Sequence, residues 1–143
     1  MVEEYQSIIK NDLWEIVPRP KDKSVVSSNR IFITKHSIDG SIEKYKERFV
    51  ARGFSQKEGI DYEDTFSPIA RYTSIRTVLA LAAKNKWKLH QMDVKTAFLN
   101  ALIEEEVYIE KPQGFDTDDQ EAYVCRLKKA FYGIKQALRA WYG

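Results

Sequence analysis

The chain has 143 residues, of which 43% are hydrophobic, 13% aromatic and 31% charged, with a formal net charge of +2. This suits one domain with a real core and excludes a disordered chain. No apolar run approaches the roughly 20 residues of a membrane span, the start Met1-Val-Glu-Glu-Tyr has no signal-peptide character, and Cys125 is alone, so a soluble intracellular protein without disulfides or membrane attachment is expected.

Val2 to Lys10 places Tyr5, Ile8 and Ile9 at helical spacing, and Leu13 to Val17 reads as a short strand ended by Pro18-Arg-Pro20. Asn29 to Ser37 and Ser41 to Ala51 flank Asp39-Gly40, a dipeptide that tolerates positive φ, which predicts an antiparallel hairpin. Side chains two apart on a strand share a face, so Lys44, Lys46 and Arg48 line one side and Tyr45, Glu47 and Phe49 the other. Gly59 to Pro68 reads as an extended connection. Thr73 or Ser74 should then cap a helix running to about Lys84, with Ile75, Val78, Leu79 and Ala82 on a packed face. Trp87 to Val94 reads as a central strand covered on both sides, with Asp93 at its C-terminal end. There follow a turn or short helix after Thr96-Ala-Phe-Leu99, a strand near Glu106 to Glu110, the Pro112-Gln-Gly114 turn, a strand over Tyr123 to Leu127 and a helix near Gln136. Hairpins mixed irregularly with helices indicate an α+β class with no internal domain boundary.

Asp93 is the strongest single candidate for chemistry, because burying a carboxylate is costly unless a cation or hydrogen-bond donors hold it. A bound ion, a helix cap near Thr96 or a pair with Lys95 would each satisfy it. There is no P-loop, no zinc spacing and no arguable Ser/His/Asp set, and His36 and His90 read as structural. Glu104 to Glu106 diverge in direction and read as a solvated acidic face. Between Arg126 and Arg139 the chain carries five cations and no carboxylate, which suits either a solvated face or an anion-binding stripe.

Five blocks then carry a resemblance. Lys44-Tyr-Lys-Glu-Arg-Phe-Val-Ala-Arg-Gly-Phe-Ser-Gln56, Gly59-Ile-Asp-Tyr62, Thr65-Phe-Ser-Pro-Ile-Ala-Arg71, His90-Gln-Met-Asp-Val-Lys-Thr-Ala-Phe-Leu-Asn100 and Leu127-Lys-Lys-Ala-Phe-Tyr-Gly-Ile-Lys-Gln136 are similar, in order and spacing, to the reverse transcriptase of copia-type long-terminal-repeat retrotransposons. The resemblance implies a right-hand polymerase fold, with fingers over about 1–86 and the first part of the palm over about 87–143. It implies an RNA-directed DNA polymerase within a Pol polyprotein, working on an RNA or DNA template-primer and deoxynucleoside triphosphates with two Mg²⁺ ions.

Residue by residue, Asp93 resembles the first catalytic, metal-binding aspartate of the palm. Val94, Lys95, Thr96 and Ala97 match the stretch whose backbone meets the triphosphate, and Phe98 matches the ring that excludes a 2′-hydroxyl, with a core role as its alternative. Lys46 and Arg48 resemble the fingers cations on the triphosphate, without a choice between them. Tyr132, Gly133, Lys135 and Gln136 resemble the motif at the template and nascent pair. Arg52 and Gln56 fall in matching blocks with no role implied.

The sequence departs from the family pattern at Glu47, where a small residue is usual, at Ala101 (glycine), Leu138 (proline) and Ile31 (tryptophan). No Tyr-x-Asp-Asp motif, the family's source of the remaining metal-binding aspartates, occurs before Gly143. The expectation is therefore a catalytically incomplete fragment with an open palm edge prone to self-association; the alternatives are a non-catalytic nucleic-acid-binding remnant or an inert product.

Overall fold

The computed structural model describes residues 2–94, 96–112 and 122–143. A short helix α1 (Val2–Lys10) turns at Asp12, at φ +48°, into strand β1 (Trp14–Pro18). The pair β2 (Val25–Val26) and β5 (Tyr108–Ile109) is parallel, β6 (Tyr123–Leu127) is antiparallel to both β1 and β5, and the sheet order is β1-β6-β5-β2.

The hairpin forms as its turn chemistry dictates: β3 (Ser28–His36) pairs antiparallel with β4 (Ile42–Ala51), with Gly40 at φ +85° in the turn. Register puts Arg30 opposite Phe49, Ile31 opposite Arg48, Phe32 opposite Glu47 and Ile33 opposite Lys46. One hairpin face therefore carries Arg30, Phe32, Glu47 and Phe49, and the other carries Ile31, Ile33, Lys46 and Arg48. Phe49 anchors the first face in the core, with its ring 6.0 Å from Trp14 and 5.4 Å from Phe131. Leu13, Leu99, Ile109, Cys125, Leu127 and Phe131 complete that core.

Two expectations are corrected. Helix α2 (Tyr72–Lys84) exists, but its N-cap is Arg71 without a side-chain cap, and its face is open: Ile75, Val78, Leu79 and Leu81 are exposed and Ala82 is its buried residue. Trp87 to Val94 is no strand, and Trp87, Leu89, Met92 and Asp93 are exposed. An extended run becomes a strand only when a neighbour takes up its N–H and C=O groups, and no strand among the described residues pairs with this one. The remaining elements fall where the sequence places them: a 3₁₀ turn at Ala97–Asn100, β5, β6, and helix α3 (Ala137–Tyr142) following Gln136. Of the turn expected at Pro112, Gln113 and Gly114 lie outside the described residues.

Candidate nucleotide and nucleic-acid interface

The run leaving β4 and the turn before α3 lock together through their backbones. The Ala51 N–H donates to the Tyr132 carbonyl at 2.8 Å. A Cβ on Gly53 would overlap the Gly133 carbonyl oxygen, and a Cβ on Gly133, at φ +96°, would overlap that of Ala51. Only glycine permits this approach and this backbone angle.

That crossing brings together three regions distant in sequence. The Arg48 guanidinium lies over the Tyr132 ring, 5.6 Å from its centroid, and the Phe98 ring meets Tyr132 edge-on at 5.1 Å. Phe98 and Tyr132 are half-buried, so the corner has an apolar floor and a cation at its rim. Glu47, the departure beside Arg48, turns to the opposite hairpin face and reaches Arg30 at 3.5 Å, so it does not neutralise this corner. Lys46 shares the Arg48 face.

Of the stretch expected to meet the triphosphate, Val94 is exposed, Ala97 opens the 3₁₀ turn, and Thr96 sits at φ +55°, ψ +38°. A β-branched residue in the left-handed region is strained by about 1–3 kcal/mol. Lys95 lies outside the described residues. Asp93 lies on the exposed run before this turn, and the structure does not bury it at a sheet end. Two Mg²⁺ ions would need several oxygen ligands in fixed positions. Among the described residues, no group of three or more His, Cys, Asp or Glu side chains could hold a metal. The described residues do not fit a two-ion centre.

Lys135 and Gln136 occupy different settings. The Lys135 ammonium lies 5.7 Å from the centre of the Tyr62 ring, whereas Gln136 is buried, with Oε1 accepting from Gln56 Nε2 at 3.1 Å and Nε2 donating to the Asp61 carbonyl at 3.0 Å. Much of the basic stripe is paired: Arg126 with Glu15, Lys128 with Asp12 at 2.8 Å and Arg139 with Glu105 at 3.9 Å. Glu106 likewise meets Lys23 at 3.2 Å, so the acidic block is partly spent on cations. Such exposed pairs add little stability, but they lower the stripe's net positive field.

Sequence reading missed a second basic feature. A cleft of about 1020 Å³ lies on the Arg30 side of the hairpin and is lined by Arg19, Arg30, Arg52 and Lys111 together with Phe32 and Glu110. Arg19 forks onto Glu110, with Nη1 to Oε1 at 3.1 Å and Nη2 to Oε2 at 2.7 Å. Four cations line the cleft, with Arg19 paired to Glu110, Arg30 to Glu47 at 3.5 Å, and the exposed Phe32 ring at its wall. These cations come from four separate segments, so no local charge pattern reveals them. Cys125 takes no part: it is buried in the core, and burial pushes its thiol up to about 12.

Comparison with known proteins identifies the family. Residues 11–143 match the family model described as "Reverse transcriptase (RNA-dependent DNA polymerase)". The chain is 46% identical over 143 residues to the "Retrovirus-related Pol polyprotein from transposon RE2" of Arabidopsis thaliana, covering 99% of this chain and 10% of that one. It is 45% identical over 142 residues to the "Retrovirus-related Pol polyprotein from transposon TNT 1-94" of Nicotiana tabacum, covering 99% and 11%. With the "Transposon Ty1-ER2 Gag-Pol polyprotein" of Saccharomyces cerevisiae it shares 32% identity over 148 residues, covering 97% and 8%. The chain thus spans about a tenth of the length of the curated relatives it matches. No solved structure matches it. With the family model matched from residue 11 to residue 143 and the plant relatives aligned along almost all of it, the chain belongs to the copia-type reverse transcriptase (RNA-dependent DNA polymerase) family.

Proposed function

We propose that this chain supplies the fingers and the first part of the palm of a right-hand polymerase that copies RNA or DNA into DNA within a Pol polyprotein. The observation that carries the reading is the convergence of Arg48, Phe98 and Tyr132, three positions of the family blocks, in one corner. Arg48 rather than Lys46 is the main triphosphate contact, because its guanidinium already sits at the rim of that corner and its planar donors suit phosphate oxygens. Lys46 supports it from the same hairpin face, and Val94, Lys95, Thr96 and Ala97 supply backbone to the triphosphate. Phe98 is the sugar gate, its ring edge on Tyr132. Tyr132, Gly133, Lys135 and Gln136 form the nascent-pair side, and the cleft of Arg19, Arg30, Arg52 and Lys111 takes single-stranded template through its phosphates, with Phe32 as a stacking face.

Asp93 is the catalytic aspartate of this reading and supplies one carboxylate. With no Tyr-x-Asp-Asp motif among the 143 residues and no fit to a two-ion centre among the described ones, this stretch by itself is proposed to have no polymerase activity. A hard cation at one carboxylate keeps most of its water, so millimolar Mg²⁺ should scarcely move the melting temperature.

Fluorescence anisotropy with a labelled primer-template tests the reading. Three phosphate contacts to a single strand would weaken binding about 20-fold between about 50 and about 200 mM salt. Arg30→Glu and Arg52→Glu should each weaken it at low salt. Binding that salt and both substitutions leave unchanged, or no binding at low salt, would overturn the template role.

A further inference from the structure

Gln56 lies in the longest family block, yet it does not line the cleft. It is 6% exposed; its partner Gln136 is 1% exposed and Asp61, the next residue in the chain of bonds, 6%. Its Oε1 accepts from the Lys135 N–H at 2.8 Å, and its Nε2 donates to Gln136 Oε1 at 3.1 Å. Gln136 Nε2 passes the chain on to the Asp61 carbonyl at 3.0 Å. The Asp61 carboxylate is itself fixed, accepting from the Lys57 N–H at 2.7 Å and from the Ser24 hydroxyl.

These bonds run in one direction. Because the Lys135 N–H can only donate, Gln56 must present its oxygen there and its NH₂ to Gln136; Gln136 must then present its own NH₂ to the Asp61 carbonyl. Neither amide can flip without setting donor against donor or acceptor against acceptor in a buried site, where an unmade hydrogen bond is costly. The turn from Tyr132 to Gln136 is thus held at its start by the Ala51 N–H and at its end by Gln56, both supplied by the run leaving β4.

We propose that Gln56 is a positioning residue: through Gln136 and the Lys135 amide it sets the turn that aims the Tyr132 ring between Arg48 and Phe98. The inference rests on the reading of that corner as the nucleotide side. The family resemblance points to Gln136 and its neighbours, whereas the geometry makes Gln136 the link and Gln56 the residue that orients it.

The test uses the 143-residue chain and the Arg48 Nε–H resonance, which a ring face at 5.6 Å moves upfield and Tyr132→Leu returns to its normal position. Gln56→Glu keeps the acceptor for Lys135 but sets a carboxylate oxygen against Gln136 Oε1, and should abolish most of the upfield shift. Gln56→Glu combined with Gln136→Lys gives that carboxylate an ammonium donor, which can also reach the Asp61 carbonyl, and should restore it. Lys128→Ala, which breaks an outlying ion pair with Asp12, should leave the resonance in place. If Gln56→Glu fails to fold, Gln56→Asn, which retracts both polar groups by one methylene, is read in the same way. A melting temperature that falls while the Arg48 resonance stays put, or a double variant no better than Gln56→Glu alone, would overturn the proposal and leave Gln56 as packing.

Titration with dTTP separates this proposal from the reading beneath it. Loss of one hydrogen bond's worth of positioning predicts about tenfold weaker dTTP binding in Gln56→Glu, regained in the double variant. Failure of dTTP to bind the unaltered chain would overturn the nucleotide reading, and the Arg48 resonance in the variants would still decide whether Gln56 positions Tyr132.

Discussion

Gly53 and Gly133 meet backbone to backbone, with the Gly133 carbonyl occupying the space a Cβ on Gly53 would need. The contact fixes where the hairpin ends relative to the Tyr132 turn, and it separates two glycines that a sequence scan treats alike. Gly133→Ala must accept both φ +96° and an overlap with the Ala51 carbonyl, and should cost about 3 kcal/mol or more. Gly40→Ala, at φ +85° with open space around it, should cost only about 1–2 kcal/mol. Urea unfolding of both variants checks the difference; equal costs would remove the crossing as a determinant of the corner.

Cys125 gives a pH prediction with a definite sign. Burial raises its thiol from 9.0 to about 12, so the unfolded chain releases this proton first as pH rises. The thiol's contribution is complete below pH 9 and is lost between about pH 9 and about pH 12, because the unfolded state then binds fewer protons than the native one. Cys125→Ala should flatten that part of the stability curve. A thiol reagent at pH 8 should label the native chain only as fast as it unfolds; immediate labelling would contradict the burial.

Helix α2 and the run after it expose Ile75, Val78, Leu79, Trp87, Leu89 and Met92. An apolar face of this kind should lead the 143-residue chain to self-associate. Val78→Lys with Trp87→Lys should shift sedimentation toward monomer and change stability by no more than about 0.5 kcal/mol per site, the usual range for open surface positions. A monomer at every concentration, or a large loss of stability, would show that the face is already satisfied.

The hairpin was legible because Asp39-Gly40 states its turn and the alternation around Lys46, Glu47 and Arg48 states its faces; β6 was legible because Tyr123 to Leu127 is bounded and apolar. The run from Trp87 to Val94 misled for a physical reason. Its composition reports a need for burial, but pairing is decided by a neighbour elsewhere, and Asp93 consequently lies in the open. The family blocks contain Arg48, Phe98 and Tyr132 but do not show their mutual packing, which brings together two glycines 80 residues apart. Gln56 showed no chemistry of its own in sequence because its role lies in partners at Lys135 and Gln136. The Arg19, Arg30, Arg52 and Lys111 cleft is likewise invisible to a scan for charge runs.

The most direct test of the account is whether the Arg48 corner responds to a triphosphate. Titrating the chain with dTTP and, separately, with thymidine while following the Arg48 Nε–H resonance isolates the phosphates from the base and sugar. The account predicts a saturable shift with dTTP, as the guanidinium leaves the Tyr132 ring for phosphate oxygens, and a much smaller one with thymidine. No shift with dTTP, or the same shift with thymidine, would contradict the assignment of Arg48 as the triphosphate contact.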